Sequence, residues 1–264
     1  MVLYEERRMS KLSVVFAVVL FFGSRADAAE MTAQQIVDET LKNNSFGFQN
    51  AVARVVLTLT SKRGAERTRQ IEIRSTKVKE LSKTLVRFHA PADVAGTGFL
   101  VLENEDRDDD QYLYLPALGK VKRISSSQKN QRFMGTDLTY ADLESRNLRK
   151  SELKRLADAE VGSNATYVIE AVPKAEAESE YSKTISWIHK VSFVPLKVEF
   201  YDSRGDLLKV LRASRLEKKT DNWVVMDSAV EDVQNKTKTR MVVEEINFGV
   251  KLSDSEFTQR ALAD

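Results

Sequence analysis

The sequence predicts a mainly β chain, an antiparallel barrel or half-barrel of about eleven strands with few helices. Three observations carry that expectation. From Ala51 onward apolar residues recur with a period of two, as half-buried strands require, rather than 3.6. Short polar turns separate the segments, among them Lys62-Arg63-Gly64, Gly162-Ser163-Asn164 and Asp202-Ser203-Arg204-Gly205-Asp206, where glycine supplies a positive φ. Capping boxes that would open helices stand near the two ends, at Thr32 and Ser253.

Residues 1–28 read as a cleavable signal peptide rather than as fold. Arg7, Arg8 and Lys11 precede the apolar run Leu12 to Gly23, and Ala26 and Ala28 have the A-x-A spacing of a cleavage site. The run falls short of the about 20 residues a membrane span needs. The mature chain is expected to start near Ala29, and Met9 serves equally well as a start codon. Residues 29–264 then form a single domain.

In that domain Thr32 and Gln35 form a capping box, and Ile36, Val37 and Leu41 give the following helix one apolar side, ending by Asn43 or Asn44. Strands are expected around 51–60, 67–74, 86–88, 99–102, 112–115 and 121–124. The stretch Ser125 to Arg146 loses the alternation and reads as a long loop, with a helical turn near Tyr140 to Leu143. Loops of this length are uncommon and often functional, so it is a candidate lid. Strands resume at 152–159, 167–172, 183–189, 196–201, 207–216, 223–230 and 239–248. Ser253 to Glu256 opens a short C-terminal helix through about Ala261.

Composition excludes several functions. The chain has 41 basic and 39 acidic residues, and removing residues 1–28 leaves 37 against 36. Nucleic acid, which wants a clear basic excess on one face, is not indicated. Cysteine is absent, so an exported form must hold together by core and sheet alone, without disulfides or a lipidated cysteine. His89 and His189 lack the H-x-x-x-H and H-E-x-x-H spacings, and no G-x-S-x-G elbow or Walker loop is present. No enzyme activity, cofactor or metal is called for. Asp106-Arg107-Asp108-Asp109-Asp110 suggests calcium weakly, since it lacks the glycine and terminal glutamate of an EF-hand loop. A solvated hairpin tip is the better reading. Lys120, Lys122 and Arg123 are candidates to contact a lipid headgroup or an acidic partner, beside ordinary surface charge.

A more specific signal lies in residues 91–143. The segments P-A-D-V-A-G-T-G-F-L, D-D-Q-Y-L-Y-L-P-A-L-G-K-V-K-R-I and R-F-M-G-T-D-L-T-Y-A-D-L closely resemble the LolA-like outer-membrane lipoprotein-sorting proteins, in the branch associated with RND/MMPL-type lipid exporters. W-I-H-K-V-S-F-V-P-L-K-V-E-F-Y-D-S-R-G at Trp187 to Gly205 extends the match, with His189 where many relatives have aspartate. The resemblance implies a strongly curved antiparallel sheet, an incomplete barrel with short helices on its concave side. It implies a soluble periplasmic carrier, acting as a monomer, that holds a lipid or lipoprotein acyl chain and moves it towards the outer membrane. An inner-membrane RND/MMPL-type transporter and an outer-membrane acceptor would be its partners. The competing reading is a non-catalytic accessory subunit of such an exporter with no cargo of its own.

Physical chemistry agrees with a carrier. Burying a methylene is worth about 0.8 kcal/mol. A cargo with about 30 of them gains roughly 24 kcal/mol, beyond the roughly 18–21 kcal/mol ceiling of reversible affinity. Such a cargo needs an apolar cavity and hand-over by contact. Strand parity assigns Val55, Leu57, Leu59, Ile71, Ile73, Val86, Phe88, Phe99, Val101, Leu113, Leu115, Val198 and Phe200 to the inward, lipid-binding face. Phe133, Met134 and Tyr140 are the lid candidates, methionine being suited to a variable apolar ligand.

Overall fold

In a computed structural model the described residues are 30–42, 48–144 and 147–263. The expected signal peptide, the start near Ala29, the helix end at Asn43 or Asn44 and the loop end at Arg146 lie outside them. The compact unit Met31–Asp264 holds every strand and helix of the described residues.

Thirteen strands form one antiparallel sheet. They are β1 (Ala51–Thr60), β2 (Glu66–Val78), β3 (Leu81–Ala90), β4 (Gly98–Leu102), β5 (Asp110–Leu115), β6 (Lys120–Arg123), β7 (Ser151–Val161), β8 (Asn164–Pro173), β9 (Lys183–His189), β10 (Pro195–Tyr201), β11 (Leu207–Lys219), β12 (Asn222–Asp232) and β13 (Thr237–Phe248). Each of the thirteen expected segments forms a strand, against the approximate count of eleven. Even four-residue β6 pairs with β5 through Tyr112–Arg123 and Leu115–Lys120.

The order across the sheet is β6-β5-β4-β3-β2-β1-β13-β12-β11-β10-β9-β8-β7. The chain therefore starts in the middle, steps by hairpins to one edge and crosses to the far edge. It then steps back until β13 pairs with β1. β6 and β7 are successive in sequence yet form opposite edges, so the sheet is not closed into a barrel. Residues 124–150 make the crossing, through short 3-10 turns at Ser126–Gln128, Phe133–Gly135, Ala141–Leu143 and Asn147–Lys150. The sequence places this loop correctly, including its turn after Tyr140.

Cross-strand partners share a face, so register decides what the core contains. Val55 sits opposite Ile71 and Val243, Ile73 opposite Val86, Val86 opposite Phe99, and Phe99 opposite Leu113. On the other wing Val198 faces Leu211 and Phe200 faces Lys209. These residues form the inner face, where most of the large core cluster lies.

The two helices take different faces. α1 (Ala33–Thr40) begins at the expected capping box: Thr32 Oγ1 accepts from the Gln35 N–H at 3.2 Å, and Gln35 Oε1 accepts from the Thr32 N–H at 2.8 Å. Its buried Ile36 and Val37 pack on Ile169 and Ile188 of the inner face. The C-terminal capping box also forms, but it opens a 3-10 turn, Asp254–Phe257, followed by α2 (Gln259–Ala263). Phe257 and Leu262 pack with Leu85 and Leu100, whose parity is opposite to Val86 and Phe99. α2 thus covers the outer face, which corrects the expectation that the helices share the concave side. The reason lies in β4: Leu100 and Gly98 leave an apolar, uncrowded surface there. A Cβ on Gly98 would come within 2.6 Å of Leu262 Cδ1.

Candidate functional site

The crossing segment fills one half of the inner face and roofs the other. Phe133 and Tyr140 enter the β3–β5 half. The Phe133 ring lies 4.9 Å from Phe99 and 6.0 Å from Phe88, and the Tyr140 ring lies 5.6 Å from Phe99 and 5.7 Å from Phe133. Aromatic pairs at such spacings add about 0.5–1.5 kcal/mol each beyond area burial. Gln111 Nε2 donates to the Tyr140 carbonyl at 2.8 Å, and the Arg69 guanidinium donates to the Met134 carbonyl. Phe133 and Tyr140 are therefore a seated plug. Met134, partly buried beside them, adopts φ 48° where the segment turns.

Beyond the plug lies a cavity of about 360 Å³, walled by the end of α1, the crossing segment and the inner face of β1, β2 and β9–β13. Of the residues assigned to the lipid-binding face, Val55, Leu57, Ile71, Ile73, Val198 and Phe200 line it. Val86, Phe88, Phe99, Val101 and Leu113 share the inner face but are packed in the core cluster with the plug. Leu59 packs partly buried at its margin, and Leu115 is half-buried near the edge. Lining residues that sequence reasoning missed include Phe48, Leu143, Leu148, Leu211, Met241 and Val243. Met241-Val242-Val243 is apolar at three successive positions, so alternation cannot say which of them point inward.

Charges hold the roof. Lys209, on the inner face of β11, donates to Asp142 Oδ2 at 2.6 Å, with both side chains almost fully buried. Its ammonium lies 5.0 Å from the ring centres of both Tyr181 and Phe200. The Tyr181 hydroxyl donates to Asp142 Oδ1 at 2.9 Å. Burial first, and then the Asp142 charge, push the Tyr181 phenol well above its ordinary pKa. Asp137 accepts from Thr239 Oγ1 at 2.7 Å, and Arg132 bridges Asp137 at 2.9 Å and Asp232 at 2.5 Å. Asp142, Asp137 and Arg132 all belong to the crossing segment, so it is pinned to β11, β12 and β13 along its length.

A second charged group lines the cavity where the β4–β5 loop meets the crossing segment. Lys129 lies 2.6 Å from Asp108 and 2.5 Å from Glu144, and Lys150 also pairs with Asp108. Hydrogen bonds from Lys129 and Lys150 hold the Asp108 carboxyl down to about 2, while burial pushes Glu144 up. The acidic loop is solvated only in part: Asp106 and Arg107 are exposed as expected, but the end nearer β5 is not. Asp109 and Asp110 are buried, and Asp110 is held by Arg107 at 2.5 Å and Arg123 at 2.6 Å. The reason is that cations converge on this end of the loop: Lys129 and Lys150 of the crossing segment on Asp108, and Arg107 of the loop and Arg123 of β6 on Asp110. Among the described residues no group of three or more acidic, histidine or cysteine side chains is placed to share a metal ion. Of the basic trio, Arg123 is committed to Asp110, while Lys120 and Lys122 remain exposed. His89 is exposed at the end of β3, and His189 meets Ser192 Oγ at 2.8 Å.

Comparison with known proteins places this architecture. A family profile described only as an uncharacterized protein matches residues 80–264. No curated protein matches the chain. Among solved structures, a domain from Vibrio parahaemolyticus, named for the outer membrane lipoprotein-sorting proteins, overlays with a TM-score of 0.80 at 31% identity, covering 88% of this chain and 98% of its own. A DUF1329 family protein from Desulfovibrio piger gives 0.78 at 28% identity, over 88% and 100%. A LolA superfamily protein from Nitrosomonas europaea gives 0.68 at 19% identity over the same shares, a likeness of fold. No catalytic family is among these. The chain belongs to the outer-membrane lipoprotein-sorting protein family.

Proposed function

We propose that this protein is a periplasmic carrier that holds a lipid, or an acyl chain of a lipoprotein, in the cavity between the sheet and the crossing segment, and moves it towards the outer membrane. The observation that carries this reading is the cavity itself, floored by Val55, Leu57, Ile71, Ile73 and Val198 on a mainly apolar face. Its about 360 Å³ is at the small end of ligand pockets. A single chain fits that size better than a multiply acylated anchor, unless the plug moves aside. Residues 1–28, as a signal peptide, bring the chain to the periplasm. An RND/MMPL-type transporter in the inner membrane and an acceptor at the outer membrane are its proposed partners.

The seated plug favours a second reading, an exporter subunit without cargo, because half of the groove is filled by the protein's own side chains. Lipid extraction and native mass spectrometry of protein purified from a periplasm separate the two. A carrier co-purifies with lipid and, once delipidated, takes up a fluorescent fatty acid. Val198→Asp, which sets a charge in the cavity floor, should weaken that uptake at least tenfold, since an unpaired buried charge costs several kcal/mol. Uptake absent from the wild-type protein, or undiminished in the variant, overturns the carrier.

A further inference from the structure

We infer that one sector of the sheet's rim is a docking surface for an anionic lipid bilayer. Antiparallel register sets four hairpin tips side by side on one rim, those of β5–β6, β3–β4, β1–β2 and β12–β13. Lys62, Arg63, Arg67, Lys120, Lys122 and Lys236 stand on these tips or on the first residues beyond them, all exposed. None of the six is held in an ion pair among the described residues. Glu66 and Asp93 oppose them there, Asp232 at the β12–β13 tip is paired with Arg132, and Lys238 is answered by Glu231 directly across the ladder. Further along the same rim the sign reverses: Glu178, Glu180, Asp202 and Asp206 outnumber Lys174, Lys183 and Arg204. The positive field is thus confined to one sector of a chain that is almost neutral overall.

The tip of β5–β6 adds an apolar element to that field. Pro116–Leu118 forms a 3-10 turn closed by Gly119 in the left-handed conformation, φ 57°. The turn leaves Leu118 49% exposed, immediately before Lys120 and Lys122. Unpaired lysines beside a protruding leucine match a bilayer surface, with phosphates for the ammonium groups and the headgroup boundary for the side chain. The sector spares the Lys209–Asp142 pins and the cavity floor, so the inference stands apart from the identity of any cargo.

Sedimentation of the purified protein with phosphatidylcholine vesicles, with and without phosphatidylglycerol, tests it. Each basic residue at an anionic surface is worth about fivefold in partitioning. Lys120→Gln with Lys122→Gln should therefore lower binding to the anionic vesicles about 25-fold, and added salt should mimic the loss. Leu118→Ser should weaken binding while leaving its salt dependence unchanged. Lys79→Gln with Lys251→Gln, on the opposite rim, should bind like the wild type. Unaltered thermal melts show that these exposed positions leave the fold intact. Equal partitioning to both vesicle types, or undiminished binding by the Lys120/Lys122 variant, overturns the inference. Absence of binding to either vesicle type does so too, and leaves an acidic protein as the partner. Vesicle binding reads no cargo, so its failure and a failure of fatty-acid uptake are distinguishable.

Discussion

Replacing Lys209 with methionine should destabilise the protein by about 3–5 kcal/mol, the usual cost of breaking a buried ion pair from one side. Lys209 Nζ lies 2.6 Å from Asp142 Oδ2, and the two side chains are only 4% and 6% exposed. At an effective dielectric constant near 20 their attraction is about 6 kcal/mol. Desolvating the two ions costs several kcal/mol each, so the intact pair is close to neutral in the balance. Methionine removes the attraction but leaves the Asp142 carboxylate in place. Its remaining donors would be the Thr139 N–H at 2.7 Å and the Tyr181 hydroxyl at 2.9 Å. Urea unfolding measures the loss through the midpoint at constant slope. Hydrogen exchange over residues 125–150 should rise together with it, because Asp142 anchors that segment. Adding Asp142→Leu to Lys209→Met should recover part of the loss, since no buried charge is then left. A single variant within about 1 kcal/mol of the wild type would refute the reasoning, as would a double variant whose cost equals the sum of the two singles.

The geometry sets three further outcomes. Phe133→Ala removes the ring that meets Phe88, Phe99 and Tyr140 and should cost about 3–5 kcal/mol in urea unfolding; it should also extend the cavity into the β3–β5 half, so that a longer fluorescent fatty acid binds better than a short one. Gly98→Ala drives a methyl group into Leu262 and should cost about 1–3 kcal/mol, with the first loss of protection in hydrogen exchange at α2. Hydrogen bonding from Arg107, reinforced by Asn104 and Arg123, holds the Asp110 carboxyl well below the usual carboxylate range. A carboxylate lowered in this way contributes stability that is complete above its unfolded pKa of about 4 and is lost as pH falls through the folded value. The urea midpoint should therefore drop between about pH 5 and 2, and Asp110→Asn should flatten that drop.

Local chemistry alone determined much of this protein. Alternation marks all thirteen strand segments, and their parity assigns Val55 through Phe200 to one face, because side chains must alternate across a pleated strand. The capping boxes at Thr32 and Ser253 are read from four residues each. Which half of the inner face would be filled is a different kind of fact. Phe133 and Tyr140 look alike as lid or as plug until the crossing segment is laid over β3–β5. The pin between Asp142 and Lys209 joins residues 67 apart, on a loop and a distant strand. The Asp108 carboxylate looks solvated until Lys129 and Lys150 arrive from the crossing segment. α2 went to the outer face because Gly98 leaves space there, which no periodicity records. Alternation is a property of one strand's backbone, whereas a cavity is the volume left over when distant segments have packed, and only the tertiary structure could decide it.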